Sequence, residues 1–353
     1  MSLDDWRSRI NTLDDQILDL LSERARAAIS IGDLKRQQAL PYFVPEREVE
    51  VIERVLGKNP GPLAPEAVRA IWREILSASL ALEQPLPVVY FGPAGTYTHL
   101  AAVQRFGSSA ELRPVRSIAE VFDDVERGRA ECGVVPVENS TEGAVNITLD
   151  RLAEADVRII GEVTLEISHH LLSRATDLVE IKTVCSHPQA IAQCRQWVGT
   201  HLPDAALEET SSTSAAAERA RDEPSTAAIS SEMAARLYAV PVLRRRIEDN
   251  PTNTTRFLVL GRRLMPPSGR DKTSILFSMR NEPGVLYSIL EPFARSRLNL
   301  TRIESRPTKR RPWEYVNFVD FEGHAETESV RAVLAEVTGR CQFLKVLGSY
   351  PVA

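Results

Sequence analysis

The stretch Asn253-Thr254-Thr255-Arg256-Phe257 closes a polar loop and leads into the apolar run Leu258-Val259-Leu260. It places a hydroxyl group, a fixed positive charge and an aromatic ring side by side where a loop enters a predicted strand. This combination is suited to binding a small carboxylated ring. Because a Thr-Arg-Phe triplet also occurs by chance in many proteins, its meaning depends on the segments around it.

Two further motifs stand upstream of this stretch. Gly92-Pro93-Ala94-Gly95-Thr96 is a glycine-rich turn after the apolar run 88–91, and Pro136-Val137-Glu138-Asn139-Ser140 follows the apolar run 133–135. From about residue 87 to 263, short apolar runs of this kind alternate with helical patterns. The alternation predicts an α/β fold whose strands are mostly buried.

The first 86 residues have the pattern of three helices. Apolar residues recur every three or four positions from Leu3 to about Gln38 without an internal proline, which predicts one long amphipathic helix. Pro45 and Pro65 each stand where a further helix can begin. Gln84-Pro85-Leu86-Pro87 has the composition of a linker. The first domain is therefore expected to be all-helical.

The C-terminal segment follows a second predicted linker at 265–269. Strand-like runs at 274–278, 315–321 and 343–346 alternate with helical patterns at 284–296 and 327–337. This order predicts a small α+β sandwich of ferredoxin-like type.

Composition narrows the class of protein. At 353 residues the chain is longer than one core usually supports, so two or three domains are expected. A formal charge of -5, from 43 basic and 48 acidic residues, gives no overall field to recruit nucleic acid or an anionic membrane. We interpret the basic runs 244–246 and 309–311 as solvated loops, with local phosphate sites as the alternative.

The expected location follows from the termini and the cysteines. The N-terminus is acidic, and the sequence contains no apolar run of membrane-spanning length, which predicts a soluble protein of the cytoplasm. Four scattered cysteines fit that reducing compartment better than a disulfide framework.

Taken in this order, the motifs at 92–96, 136–140 and 253–257 resemble prephenate dehydratase. The flanking segments resemble a helical chorismate mutase and an amino-acid-sensing ACT domain, so the resemblance covers nearly the whole chain. It implies a chorismate mutase at 1–86, a two-lobed, periplasmic-binding-protein-like dehydratase at 87–264 and an ACT domain at 270–353. The implied activities rearrange chorismate to prephenate and then remove hydroxide and carbon dioxide to give phenylpyruvate. Phenylalanine is the implied feedback inhibitor, and no metal or other cofactor is implied.

The predicted first helix carries three cations that bear on the mutase. Arg24 and Lys35 are eleven residues apart, so they point within roughly 20° of each other and can share one site. Arg7 lies about 25 Å from Arg24 along the axis and about 100° around it. It can serve the site of a symmetric copy more easily than its own, which favours an intertwined homodimer or a higher homo-oligomer.

By resemblance, the mutase site is a set of polar groups that clamp a dicarboxylate: Arg7, Arg24, Lys35, Arg47, Glu48, Ser79 and Glu83. The rearrangement needs no nucleophile, so catalysis rests on confinement and on stabilising charge at the ether oxygen, for which Lys35 and Glu83 are candidates. Some family members have glutamine in place of Glu83 and an acidic residue in place of Val44. A carboxyl donates a hydrogen bond only when it is protonated, so we expect acid pH to help the mutase.

The dehydratase candidates come from five segments. Thr255 is expected to hydrogen-bond the departing hydroxyl or to relay a proton, because a threonine hydroxyl is too weak an acid to supply one. Glu138 or solvent is the candidate acid. Arg256 is a candidate partner of a substrate carboxylate or of a structural ion pair. The remaining candidates are catalytic Asn139, Ser140 and Phe257 and substrate-binding Thr96, Thr141, Ser186, His187, Gln189, Ser212 and Thr213.

The histidines of this region are interpreted mainly as structural. His187 precedes a proline in a predicted loop, where a hydrogen-bonding role is more common than general-base catalysis. His169 and His170 are adjacent but have no third ligand in pattern, so no metal is expected.

Two motifs of the C-terminal segment resemble the phenylalanine-binding motifs of ACT domains attached to this dehydratase. The candidate effector-binding residues are Asn281, Gly284, Val285, Leu286, Glu304, Ser305, Arg306 and Pro307. Gly284 permits close approach of a ligand to the backbone, and residues 304–307 are expected to follow a strand. The hypothesis is that phenylalanine binds at a subunit interface.

Two alternatives stay open from the sequence. The middle region can be the two-lobed binding module of a non-catalytic sensor, with the helices and the ACT segment serving dimerisation. Such a sensor would lack the full set of mutase cations. The dehydratase substrate can also be arogenate, although a fused mutase that makes prephenate counts against it.

Overall fold

The computed structural model describes residues 1–38, 40, 42–280, 282–307 and 315–352. The chain forms two compact units. One comprises Met1–Pro87 and Arg105–Glu111, and the other comprises Val88–Gln104 and Leu112–Ala353. Within the described residues, no helix is both long enough and apolar enough to cross a membrane.

The first unit contains the three predicted helices, α1 Leu3–Gln37, α2 Pro45–Leu56 and α3 Pro65–Glu83. Ser2 caps α1, because its Oγ accepts a hydrogen bond from the Asp5 amide at 3.2 Å and its own amide donates to Asp5 Oδ2 at 2.7 Å. Pro45 and Pro65 are the first residues of α2 and α3, where a backbone N–H has no helical partner to lose. The all-helical first domain is confirmed.

Gly32 lets α3 pack closely against α1. A Cβ atom at this position would lie 3.0 Å from the Glu83 Cα atom, which is closer than ordinary van der Waals contact. Lys35 is three residues further along α1, on the same side of the helix. The close approach therefore brings the Lys35 ammonium to the C-terminal end of α3.

The N-terminal half of α1 carries an apolar stripe that the single chain leaves uncovered. Its members are between 41% and 65% exposed: Trp6, Ile10, Leu13, Ile17 and Leu20. The buried residues of α1, Ala28 and Gly32, lie in the other half of the helix. A contiguous apolar surface of this kind is typical of an interface with another chain.

Two lobes form the middle of the chain, each built on one sheet. The first lobe contains strands β1 Pro87–Phe91, β2 Glu111–Val115, β3 Cys132–Asn139, β4 Gly143–Ala144, β5 Arg158–Glu166 and β11 Thr254–Gly261, with helices α4 Tyr97–Phe106, α5 Ile118–Glu126 and α6 Asn146–Glu154. Its strand order is β2-β1-β3-β11-β5, and β4 pairs with β3. Strand β11 is antiparallel to both of its neighbours, so the sheet is mixed.

The second lobe contains strands β6 His170–Ser173, β7 Thr183–Ser186, β8 Ala206–Glu209, β9 Thr226–Ser230 and β10 Val242–Arg244, with helices α7 Pro188–Gln193, α8 Arg195–His201, α9 Thr213–Asp222 and α10 Glu232–Tyr238. The strand order is β10-β6-β9-β7-β8. The chain enters this lobe after β5 and returns through β11. The lobes are thus joined by two chain crossings, and the predicted two-lobed α/β fold is confirmed.

The C-terminal segment has the predicted ferredoxin-like order, β12 Asp271–Ser278, α11 Val285–Arg295, β13 Leu300–Pro307, β14 Tyr315–Glu322, α12 Glu328–Arg340 and β15 Phe343–Pro351. Its antiparallel sheet has the order β13-β14-β12-β15. Ile275 and Phe277 of β12 belong to the core that this sheet forms with the apolar side chains of α11 and α12. Leu276, between them, faces the opposite side because side chains alternate along a strand.

This opposite face of the C-terminal sheet packs on the first lobe. Leu276 and Phe318 share one hydrophobic core with Leu149 and Leu258 of that lobe. A Cβ atom at Gly348 would overlap the carbonyl oxygen of Ile159, so glycine is required where β15 crosses β5. The C-terminal sheet and the sheet of the first lobe therefore form adjacent layers of one packed unit.

Two predicted boundaries need correction. Residues 304–307 were expected after a strand, yet they form the end of β13, because β14 pairs with them. The last strand extends to Pro351 rather than ending at residue 346, since β12 pairs along its whole length. Of the two basic runs, 309–311 lies outside the described residues. In the other run, Arg245 Nη1 is 3.3 Å from Glu232 Oε2.

Candidate active sites

The helical unit encloses a cavity of about 540 Å³. Six of the seven predicted mutase residues line it: Arg24, Lys35, Arg47, Glu48, Ser79 and Glu83. Its apolar wall includes Ile31 and Leu80. Val44, the position at which some members of the resembled family have an acidic residue, also lines the cavity. The cavity therefore combines a cationic lining with enough apolar surface to confine a ring.

Four hydrogen bonds hold the polar groups of this cavity in place. Lys35 Nζ is 2.7 Å from Glu83 Oε2 and also donates to the Tyr42 carbonyl oxygen at 3.0 Å. Arg24 Nη1 donates to Ser79 Oγ, which in turn donates to the Ile75 carbonyl oxygen at 2.7 Å. Burial lowers the pKa of the Arg24 guanidinium, which nevertheless stays charged at neutral pH.

The remaining mutase candidates differ in their surroundings. Glu48 Oε2 is 2.9 Å from Arg105 Nη1. Arg47 is an exposed residue at the cavity edge, 2.6 Å from Glu50. The side chain of Arg7 is 67% exposed and lies 3.5 Å from Asp4, and it does not line the cavity of its own chain.

A second cavity, of about 500 Å³, lies between the two lobes. Eight predicted dehydratase residues line it: Thr96, Asn139, His187, Gln189, Ser212, Thr213, Thr255 and Phe257. Among the described residues that line it, none is a lysine or an arginine. Instead, helices α4 and α9 begin at its wall, with Thr96 and Ser212 directly before their first turns. Helix N-termini carry partial positive charge and free amides, so they can bind carboxylates.

The expectation that Glu138 and Arg256 reach the substrate is not supported by their positions. Thr255 and Phe257 face the cavity, and Arg256 between them points to the opposite side of β11. Its register partner on β3, Glu138, points the same way and is 2.9 Å from Arg302 of β13. Alternation along the strands thus removes both charges from the cavity.

Backbone amides fix the orientation of Asn139. Its Oδ1 accepts hydrogen bonds from the amides of Thr141 at 2.9 Å and Glu142 at 3.0 Å. Its Nδ2 must then be the group that lies 2.8 Å from Thr255 Oγ1 and 2.8 Å from Asn253 Oδ1. Because Asn139 donates to Thr255, the hydroxyl hydrogen of Thr255 can be offered to a ligand in the cavity.

The same chain of hydrogen bonds continues into the second lobe. Asn253 Oδ1 is used by Asn139, so Asn253 Nδ2 donates to Gln193 Oε1 at 3.0 Å. Gln193 Oε1 also lies 2.8 Å from His169 Nε2, which must therefore carry a hydrogen. Burial lowers the pKa of His169, so the ring is neutral near pH 7 and its Nδ1 carries no hydrogen.

Several predicted catalytic or substrate-binding residues also or instead serve the local structure. Ser186 is fully buried, and its Oγ donates to the Ile229 carbonyl oxygen at 2.6 Å. Ser140 Oγ accepts from the Thr254 amide at 2.9 Å, beside the cavity rather than in it. His187 and Ser212 line the cavity and also cap α7 and α9, respectively. Thr141, which follows Ser140 in the chain, donates a hydrogen bond from its amide to Asn139 Oδ1.

Comparison with known proteins identifies the family. Family models match the chain as chorismate mutase type II at residues 6–84, prephenate dehydratase at 88–264 and ACT domain at 273–339. The bifunctional chorismate mutase/prephenate dehydratase of Aquifex aeolicus is 48% identical over 99% of this chain and 98% of its own. The chain belongs to the bifunctional chorismate mutase/prephenate dehydratase family. It is an isomerase and lyase of aromatic amino acid biosynthesis, and the alternative of a non-catalytic sensor is wrong.

Two solved structures each superpose on 75% of this chain. The prephenate dehydratase of Arthrobacter aurescens, in complex with L-Phe, superposes with a TM-score of 0.69 at 37% identity, over 75% of this chain and 90% of its own. GqqA, described as a novel type of quorum quenching acylase, superposes with the same TM-score at 31% identity, over 75% of this chain and 98% of its own.

The ACT domain of the mutase/dehydratase contains most of the candidate effector residues in two places. Gly284 has φ of 78° and directly precedes α11, whose first residues are Val285 and the partly exposed Leu286. The other four residues end the edge strand β13. There Ser305 Oγ donates to Asn317 Oδ1 at 2.6 Å. Asn281 lies outside the described residues.

One effector assignment needs correction. Arg306 is buried, and its Nη2 lies 3.2 Å from Asp150 of α6. Its Nη1 donates to the Asn146 carbonyl oxygen at 2.8 Å. This guanidinium therefore joins the ACT domain to the first lobe and is not free to bind an effector.

The cavity residues of the dehydratase that the sequence analysis missed include Gln193, His169 and Tyr97. His169 was considered only as a metal ligand. Among the described residues, no group of three His, Cys, Asp or Glu side chains is arranged to hold a metal ion. Gln193 carried no local signal, because its partners are 60 and 24 residues away in the chain.

Proposed function

We propose that this enzyme works as a cytoplasmic homodimer that rearranges chorismate in the helical cavity and converts prephenate to phenylpyruvate between the two lobes, under inhibition by phenylalanine. The observation that carries the dehydratase assignment is the orientation of Thr255 by Asn139 at the wall of the second cavity.

In the mutase, Arg24, Arg47 and Lys35 hold the two carboxylates of chorismate. The cavity confines the substrate in its reactive chair, so the barrier is lowered mainly by orientation. Lys35 and Glu83 face the ether oxygen, where negative charge grows as the bond breaks. Arg7 of a second copy completes the site, because the Arg7 of the same chain is remote from it. The exposed apolar stripe of α1 supports the same dimer, since a second copy would bury it.

Mixed dimers test the shared site. Arg7→Ala and Arg24→Ala should each abolish most mutase activity. When the two variants are unfolded and refolded together, half of the dimers are mixed and each contains one intact site, so about a quarter of wild-type mutase activity should return. The chorismate mutase rate is the measurement, and dehydratase activity is the internal control for refolding. If the mixture recovers no activity, Arg7 does not act across a dimer.

Glu83 donates a hydrogen bond to the ether oxygen only in its protonated form. In the free cavity, Lys35 Nζ lies 2.7 Å from Glu83 Oε2. The active fraction of the mutase should therefore increase as the pH falls.

Substitution of Glu83 tests this dependence. Glu83→Gln supplies a permanent N–H donor, so mutase kcat/KM should become less dependent on pH and should exceed that of the wild type at alkaline pH. Glu66→Gln, on the exposed first turn of the same helix, is the matched control. A pH profile of kcat/KM that Glu83→Gln leaves unchanged would contradict the role of a protonated carboxyl.

In the dehydratase, the ring of prephenate loses carbon dioxide and hydroxide from opposite sides. The electron pair of the breaking C–C bond enters the ring, and the C–O bond breaks as the ring becomes aromatic. The Thr255 hydroxyl donates a hydrogen bond to the departing oxygen. Amides at the start of α4 and α9 bind the carboxylates, and solvent rather than Glu138 supplies the proton. Competition between prephenate and arogenate distinguishes the two possible substrates.

Two substitutions test the role of Thr255. Thr255→Val keeps the shape of the side chain but removes the donor, so kcat should fall by about 100-fold or more while KM changes little. Thr255→Ser should retain most of the activity. Thr254→Val, on the preceding residue of β11, is the matched control for strand structure. Phenylpyruvate formation is the measurement, and a near-normal kcat of Thr255→Val would refute the assignment.

Phenylalanine binds the ACT domain near Gly284 and the end of β13, at an interface between two copies. Three observations support this site: the open edge of β13, the exposed Tyr287 and Ile303, and the L-Phe complex of the Arthrobacter aurescens relative. Binding should favour a closed, less active arrangement of the dehydratase.

Saturating phenylalanine should lower the rate of phenylpyruvate formation, with tyrosine as the comparison ligand. The mutase rate of the same sample serves as the internal control. Prephenate kinetics that stay the same at saturating phenylalanine would contradict the regulatory role.

A further inference from the structure

Arg256 lies on the face of β11 opposite the dehydratase cavity, where its guanidinium binds three groups. Nε is 2.7 Å from Glu162 Oε2, Nη1 is 2.6 Å from Asp320 Oδ2, and Nη2 is 3.0 Å from the Tyr350 hydroxyl. Glu162 belongs to the neighbouring strand β5, whereas Asp320 and Tyr350 belong to the ACT sheet. The guanidinium thus ties the strand of Thr255 to the ACT domain.

The partners of Arg256 are themselves fixed by hydrogen bonds. Ser274 Oγ donates to Asp320 Oδ1 at 2.6 Å and is 2.8 Å from the Tyr350 hydroxyl. Because Ser274 has given its one hydrogen to Asp320, Tyr350 donates to Ser274, and the Tyr350 oxygen accepts from Arg256.

The charges of this cluster balance. Lys272 Nζ is 2.6 Å from Glu162 Oε1, so two cations face two carboxylates. The side chains of Glu162 and Asp320 are only 4% and 6% exposed. A buried charge that loses its partner is costly, so each member depends on the others.

A second ion pair joins the two sheets at the residues that pair with Arg256 and Asp320 in their own sheets. Glu138, the register partner of Arg256, is 2.9 Å from Arg302, which is the register partner of Asp320 in the ACT sheet. Along each dehydratase strand, the next residue faces the cavity: Asn139 follows Glu138, and Thr255 precedes Arg256. The ACT sheet therefore contacts both catalytic strands directly behind their cavity residues.

We propose that Arg256 is a positioning residue of the dehydratase, held by Asp320, and that through β11 it sets the position of Thr255. The proposal rests on the proposed role of Thr255. The Cα atoms of Thr255 and Arg256 are neighbours, only about 3.8 Å apart. When Arg256 loses its partner in the ACT sheet, β11 shifts at Arg256 and displaces the Thr255 hydroxyl with it. A displacement of about 1 Å can cost up to 100-fold in rate. Substrate affinity depends on other residues and is unaffected.

A double-mutant cycle tests the link between Arg256 and Asp320. Asp320→Asn removes the charge, keeps the side-chain shape and leaves Arg256 paired with Glu162, so the protein retains its fold. Its kcat for prephenate should fall by about tenfold while KM changes by less than about twofold. Arg256→Gln should lower kcat at least as much. The double variant should match Arg256→Gln alone, because the two residues act as one unit.

Lys345→Met is the matched control for loss of a contact between the ACT domain and the first lobe. Lys345 Nζ donates to the carbonyl oxygens of Leu152 at 3.1 Å and Ala155 at 2.6 Å, away from β3 and β11. This variant should keep the wild-type kcat. Hydrogen exchange of peptides that cover 254–261 should become faster in Asp320→Asn but not in Lys345→Met.

An unchanged kcat in Asp320→Asn, additive effects in the double variant, or unchanged exchange across 254–261 would each overturn the proposal. So would an Arg256→Gln variant whose KM rises about tenfold at constant kcat, since Arg256 would then bind substrate. Hydrogen exchange does not depend on the chemistry of Thr255. Suppose that exchange is faster in Asp320→Asn while Thr255→Val turns over prephenate at the normal rate. This result would count against the proposed role of Thr255 and not against the effect of the Arg256–Asp320 contact on β11.

Discussion

The alternation of side chains along β11 places Thr255 and Arg256 on opposite faces of one sheet, and the dehydratase is arranged around this separation. On one face, the hydroxyl meets the cavity between the lobes. On the other, the guanidinium is buried against the ACT sheet. A charge in the cavity would be exposed to substrate, whereas behind the sheet it meets fixed carboxylates. The Thr-Arg-Phe motif thus presents its first and third residues to the cavity and its second residue to the packed ACT sheet.

The two cavities treat carboxylates differently. The helical cavity contains Arg24 and Lys35, whereas the described lining of the second cavity contains no lysine or arginine and is bordered by helix N-termini. In the mutase reaction both carboxylates persist, so strong ion pairs cost nothing at the transition state. In the dehydratase reaction one carboxylate becomes neutral carbon dioxide. A strong ion pair to that group would stabilise the substrate more than the transition state, so amide partial charges are better suited to it.

Orientation in the dehydratase cavity is transmitted by hydrogen bonds of fixed direction. Two backbone amides orient Asn139, which then determines the orientation of Asn253 and of Gln193 in the other lobe. This series of hydrogen bonds ends at the neutral His169 ring. Because every member has its donor and acceptor assigned by a neighbour, the Thr255 hydroxyl does not have to reorganise when substrate arrives.

The sequence by itself determined the local elements and the groups that form the two cavities. The starts of α2 and α3 follow from Pro45 and Pro65, and α1 follows from its apolar period, because helix formation depends on neighbours in the chain. The motifs also placed Thr96, Asn139 and Thr255 in one site. Only the tertiary structure decided which sides of β3 and β11 face the cavity. Glu138 and Arg256 stand beside cavity residues in the chain, yet they pair with Arg302 and Asp320, which are 164 and 64 residues further on. The same limit applies to Gln193 and His169, because hydrogen bonds between distant segments have no local sequence pattern and exist only once the layers are packed.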